Sequence, residues 1–264
     1  MNRYLAILKA RFSVLLQYRA AALAGLVTQL FWGLVKAMIL AAFYSQAGQN
    51  NLPISLAQGM TFIWLGQAFL HLLPWNIDKE IETDIKNGNV AYELIRPLDL
   101  YWLWFSRAFA LRLVPSIMRS IPIFLLASLF LDLAPPVSSA AAFTFALSLT
   151  FSALLSTAIT TLVIISLFWT ISGEGILRLL PAIVVIFSGL LVPLPLFPNS
   201  IQIFLNIQPF RCILDIPCRL YTGIIPISEA PYFLAFQLLW GIIFIAIGKK
   251  VMQKASNRFI IHGG

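Results

Sequence analysis

The densest chemistry in the chain lies in one short stretch. Residues 78–100, DKEIETDIKNGNVAYELIRPLDL, hold six of the ten acidic side chains: Asp78, Glu80, Glu82, Asp84, Glu93 and Asp99. Ile77, Ile81 and Ile85 recur every fourth residue, so 76–86 reads as a short polar helix with one apolar edge and one charged face. Asn87-Gly88-Asn89 is a helix stop, 90–95 resumes, and Arg96-Pro97 breaks the chain again. A segment that only connects two elements is shorter than this. Helix, stop, helix and break together suit docking against another protein.

Elsewhere, expected catalytic patterns are missing. Residues 241–250, GIIFIAIGKK, lack the spacing of a phosphate-binding loop, and Lys250 stands where a hydroxyl is needed. His71 and His262 are far apart, and Cys212 and Cys218 have no nearby His, so no metal or zinc ligand set is evident. The two cysteines read as unpaired small apolar residues, with a disulfide as the alternative on an oxidising face. No Ser with His and no paired Asp stands out at membrane depth. The expectation is a chain with no catalytic, cofactor or metal site of its own, and not an enzyme.

The elements that position the charged stretch are apolar. Six runs of about 20 residues, long enough to cross a bilayer, cover 20–44, 54–73, 113–131, 140–169, 177–192 and 232–247. With 60% hydrophobic residues and a mean hydropathy of +0.89, the chain reads as an all-α polytopic membrane protein, one domain over 1–264. What remains outside the spans is too small for a separate domain. The net charge of +8 clusters before the first span, in the second and fourth connections and in the tail. Six spans put those clusters on one side, the cytoplasmic one, with both termini. The basic balance therefore reads as topology against anionic lipid, with no nucleic-acid partner.

Finer features fill in the picture. Residues 1–19 form an amphipathic interface helix: Asn2, Arg3, Lys9, Ser13 and Gln17 share one face, Tyr4, Leu5, Leu8, Phe12, Leu15 and Leu16 the other, and Arg11 spoils the pattern. Tyr101, Trp102, Trp104 and Phe105 read as an aromatic belt at the headgroups. SGLLVPLPLFP at 188–198 cannot continue a helix. The stretch 198–228, broken by Pro209, Pro217, Gly223 and Pro226, reads as short re-entrant helices in the outer leaflet. No Asp or Glu lies deep in a span, which tells against a proton- or sodium-driven carrier. Lys36 is expected to snorkel outward, with a cationic point on a transport path that meets an anionic group as the alternative; Arg112 and Arg119 are expected to snorkel inward, and His71 to sit near the cytoplasmic interface. Gln29, Gln58 and Gln67 are too scattered for a channel stripe.

As a set, these features resemble the type-2 permease family of ATP-binding-cassette exporters. The resemblance rests on the interface helix, the six spans, LIRPLDL at 94–100, SGLLVPLPLFP at 188–198 and LYTG at 220–223. The opening LLQYRAAALAGLVTQLFWG at 15–33 and the close ASNRFIIHGG at 255–264 are similar to one bacterial branch. The resemblance implies a plasma-membrane (inner-membrane) exporter subunit working as a dimer with a second permease, the same or a related chain. Two ATPase subunits, made from a separate chain, would carry ATP and Mg. The segment 76–100 would be the cytoplasmic coupling segment, with Asp78, Lys79, Glu80, Glu82, Thr83, Asp84, Lys86, Gly88 and Arg96 at the ATPase. The path would lie at the dimer interface, lined by Phe31, Trp32, Trp64, Gln67, Phe187 and Ser188, and the broken helices would gate it outside. A hydrophobic or amphiphilic substrate (drug, lipid or peptide-like) suits such a path. The alternative is a non-transporting scaffold or a channel subunit with the same docking features.

Overall fold

Helix starts are set by short polar side chains. Ser55 and Gln58 form a reciprocal capping box, Asp78 accepts from the Glu80 N–H, Asp99 from the Trp102 N–H, and Ser138 from the Ala141 N–H. The computed structural model describes residues 3–15, 19–47, 52–95, 97–131, 133–170 and 174–262. Among these, eleven α-helices run in chain order: α1 (Arg3–Leu15), α2 (Arg19–Ala47), α3 (Leu56–Ala68), α4 (Lys79–Lys86), α5 (Ala91–Leu94), α6 (Leu100–Phe130), α7 (Ser139–Ser166), α8 (Glu174–Phe187), α9 (Asn199–Ile207), α10 (Asp215–Tyr221) and α11 (Ala230–His262). No strand occurs among the described residues. Asn2, Leu16, Gln17 and Arg96 lie outside the described residues.

Four segments are long and apolar enough to cross a membrane: Ala24–Gln46, Leu100–Phe130, Ser139–Ser166 and Ile227–Asn257. The other two expected spans are shorter helices. The run 54–73 becomes α3 followed by a 3₁₀ turn, Leu70–Leu72. The run 177–192 becomes α8, whose 14 residues reach only about 21 Å, and Gly189, with φ of 85°, turns the chain just after it.

The most buried of the long helices is α7, packed against α6, α10 and α11. Its buried Ser148, Ser152, Ser156, Thr157, Thr160 and Thr161 explain why neighbours approach closely. Most of these hydroxyls donate to carbonyls one turn back, as Thr157 does to Ala153 at 2.7 Å. Three also reach other elements. Ser148 Oγ donates to Gln237 Oε1 of α11 at 3.0 Å, the Gln237 amide donates to the Cys212 carbonyl at 2.7 Å, and Ser152 Oγ reaches the same carbonyl. Ser156 Oγ bonds the Leu72 carbonyl.

The stretch 198–228 is built from α9, α10 and single 3₁₀ turns. Pro209, Gly223 and Pro226 fall at its breaks, whereas Pro217 is carried in the first turn of α10, where a missing N–H costs little; Gly223 adopts φ of 73° against Val137. Cys212 and Cys218 are free, buried thiols.

Candidate functional site

The bundle has one charged end, where α1, α4 and α5 meet the first turns of α6. Its centre is Arg107. Its guanidinium binds Asp78 through Nε at 2.9 Å, Glu80 through Nη2 at 2.9 Å and Glu93 through Nη1 at 3.3 Å. Glu93 also accepts from Trp104 Nε1 at 2.7 Å, and Glu80 is shared with Arg11 of α1. Arg107, Asp78 and Glu93 are almost wholly buried, whereas the Glu80 side chain is 59% exposed. A guanidinium offers five donors in a fixed plane, so one Arg can hold three carboxylates from two turns of chain.

A second arginine fixes the start of the segment. Arg112, 1% exposed, donates to the Asn76 carbonyl and to Thr160 of α7. Its side chain is enclosed by the bundle: Nη2 makes both of these bonds, while Nε is buried without a partner among the described residues. Lys36 likewise ends on a carbonyl, donating to Leu190 at 2.9 Å in the turn after α8. α1 is tied to the same end: Arg3 donates to the Pro97 carbonyl at 3.0 Å, and the Asp99 N–H donates to Tyr4 Oη at 3.0 Å. The pairing with Glu80 accounts for Arg11, the residue that interrupts the amphipathic pattern of α1.

The isoleucine edge of α4 faces inward. Ile81 is fully buried, with Ile77 and Ile85 partly so, in a cluster with Val90, Leu100, Leu103, Trp104 and Ile165. Lys79, Glu80, Thr83 and Lys86 are exposed, followed by the exposed turn Asn87, Gly88 and Asn89. Gly88 takes φ of 76°, which ends the helix there. Glu82 is held within its own helix by Lys86 at 2.7 Å. Tyr92 and Ile95 of the following segment are also exposed. A groove of about 580 Å³ between α1 and the segment is walled by Arg11, Glu80, Asp84, Tyr92, Glu93 and Arg107.

The expected site residues therefore separate into two sets. Lys79, Glu80, Thr83, Lys86 and Gly88 stand on the outward surface, while Asp78 is turned inward as an anchor and Glu82 and Asp84 are half-buried. Arg107 and Arg112, which hold the segment, were legible only as cations near the second connection. The aromatic belt also divides: Tyr101 and Trp104 are buried, Trp104 stacking on Phe168, and Trp102 carries Lys249 over its ring at 4.6 Å.

The six expected path residues are not one surface. Phe31 and Trp32 are exposed on α2. Trp64 and Gln67 are buried behind them, against Gly33. Phe187 packs edge-on against Phe204, and Ser188 is buried in the turn below Gly189. Among the described residues, no group of three His, Cys, Asp or Glu side chains is placed to hold a metal.

Comparison with known proteins matches residues 26–263 to the ABC-2 family transporter protein. No curated protein and no solved structure gives a match. The matched region takes in most of the first apolar run, the other five, the charged segment and the broken helices of 198–228. Permeases of this family are the membrane transport component, are not themselves catalytic, and work with an ATP-binding-cassette subunit. The apolar helices and the family match together make this chain a multi-pass membrane permease component of an ATP-binding-cassette transporter, and it belongs to the ABC-2 transporter family.

Proposed function

We propose that this permease is the transmembrane subunit of an ATP-driven exporter and that α4 is its coupling helix. The observation that carries this reading is the two-sided segment at the charged end. Its inner side is fixed to α6 and α7 through Arg107 and Arg112, and its outer side presents Lys79, Thr83, Lys86 and the turn at Gly88. A partner ATPase seated on that face would push on α4, and the push would pass through Arg107 to α6 and through Arg11 to α1. Tyr92 and Ile95 give such an interface aromatic and aliphatic anchors.

In this reading six segments cross the bacterial plasma membrane, with α3 and α8 as the short ones, and both termini are cytoplasmic. The short α8 is completed by the turn at Gly189 and by the re-entrant α9 and α10, which form the outer gate. A second permease packs on the exposed face of α2, where Val27, Phe31, Trp32 and Met38 stand out from the bundle. That face lines a path suited to hydrophobic or amphiphilic cargo.

Charge reversal at Asp84 tests the coupling role. Asp84 lines the groove beside α1, whereas Glu80 belongs to the Arg107 network and its reversal would also loosen the fold. Asp84→Lys is expected to leave the complex assembled and its ATPase active while transport falls at least tenfold. Transport at the wild-type rate by this variant would contradict the assignment.

A further inference from the structure

Ser148, Ser152, Ser156 and Thr160 recur at every fourth residue of α7 and are all fully buried. Side chains at that spacing stand in one row along a helix, and this row runs about 18 Å. Each hydroxyl meets a different neighbour. Ser148 Oγ donates to Gln237 Oε1 of α11 at 3.0 Å. Ser152 Oγ lies 2.7 Å from the Cys212 carbonyl, which also accepts from the Gln237 amide at 2.7 Å. Ser156 Oγ donates to the Leu72 carbonyl. Thr160 Oγ1 accepts from Arg112 of α6, whose same nitrogen donates to the Asn76 carbonyl. The row has a built-in contrast on the same helix. Thr157 and Thr161, equally buried, donate to the Ala153 and Thr157 carbonyls within α7 itself.

Three of the contacts outside α7 meet carbonyls where helices break. Leu72 ends the 3₁₀ turn after α3, Asn76 lies in the chain leading to α4, and Cys212 ends the 3₁₀ turn before α10. A carbonyl at a break lacks the partner a helix would give it, and an apolar bundle offers no water in its place. Parting such a carbonyl from its donor leaves a buried polar group unmet, the costliest way to lose a hydrogen bond. Donor and carbonyl therefore move together. One end of the row, Ser156 and Thr160 with Arg112, holds the chain that feeds α4. The other end, Ser148 and Ser152 with Gln237, holds the turn that feeds α10.

We infer that Ser156 and Thr160 are positioning residues for transport, through which a shift of α4 is passed to α7 and from there, at Ser152, to the stretch 198–228. The inference rests on the reading of α4 as the coupling helix and adds the route by which its movement reaches the far helices. α7 is suited to that part because it is the most buried of the long helices and packs against α6, α10 and α11 alike.

The test is hydrogen exchange of the full chain assembled with its ATP-binding-cassette subunit, with and without a non-hydrolysable ATP analogue. In the wild type the analogue should change exchange at both 76–95 and 199–229. Ser156→Ala and Thr160→Val should keep the change at 76–95 and shrink that at 199–229 about fivefold or more. Thr160→Ser, which keeps the hydroxyl, and Thr157→Val, which removes a buried hydroxyl outside the row, should respond as wild type at both places. A loss of mere packing would not separate these variants. Should Thr160→Val not assemble, Ser156→Ala, which gives up a single oxygen, decides. A full response at 199–229 in Ser156→Ala, an equal loss in Thr157→Val or Thr160→Ser, or a wild type that responds at 76–95 alone would overturn this inference and leave the coupling reading standing. A wild-type complex that binds the analogue with no change at 76–95 would overturn the coupling reading and this inference with it.

Discussion

The two ends of this permease hold charge in opposite ways. At the charged end, Arg107 pairs with residues 14, 27 and 29 positions away, and Arg11 reaches Glu80 across 69 positions. At the other end Asp215, fully buried, is flanked by Arg211 at 3.4 Å and Arg219 at 3.0 Å, each four residues away. Arg211 adds the Asn206 carbonyl, five residues back, and Gln208 caps the turn that follows it. Pairs made within one turn stiffen that turn alone. Pairs made between α1, α4 and α6 oblige separate elements to move together. The first arrangement suits a lid, the second a lever.

The sharpest way to break the contrast is Arg107→Ala. It leaves Asp78 and Glu93 buried without their cation, a loss of about 3–5 kcal/mol. Thermal unfolding of the purified chain should show it as a Tm lowered by many degrees, with loss of the ATPase partner from the complex. Next comes Asp215→Asn, which removes charge-assisted hydrogen bonds worth about 1.5–3 kcal/mol. Hydrogen exchange should then rise over 199–229 and stay unchanged in α1 and α4, with partner binding intact. Gln237→Leu removes the link from α11 to Ser148 and to the Cys212 carbonyl. Its cost is about 1 kcal/mol, the usual size for polar contacts between membrane helices, read as a small Tm decrease. Least costly to the fold is Lys86→Glu, exposed on α4, within about 0.5 kcal/mol of wild type. Its effect should appear only in affinity for the partner, which sets surface function apart from internal bracing.

Much of this architecture is written in local pattern. Period-four isoleucines place the inward edge of α4, Asn87-Gly88-Asn89 places its end, and Pro209, Gly223 and Pro226 mark breaks in the stretch 198–228, although Pro217 is carried inside α10. What local pattern does not carry is the use made of the arginines. Arg107 and Arg112 look like interfacial charge because their partners, Asp78, Glu93, Asn76 and Thr160, are brought to them only by the fold. Trp104 is hidden for the same reason: a tryptophan beside basic residues reads as a headgroup anchor until Glu93 and Phe168 are seen around it. The end of α8 is hidden in the same way: the helix stops at Phe187, before the Gly189 turn, although apolar residues continue to Val192.

The central claim is that the outward face of α4 seats an ATP-binding-cassette subunit. The most direct test places a photo-crosslinking residue at Thr83 and, as a control, at Ile203 on the exposed side of α9, in the chain expressed with its native partners. The account predicts an adduct with an ATP-binding-cassette subunit from position 83 and none from position 203. A folded, membrane-inserted chain that yields no such adduct from position 83, or yields it equally from 203, would contradict it.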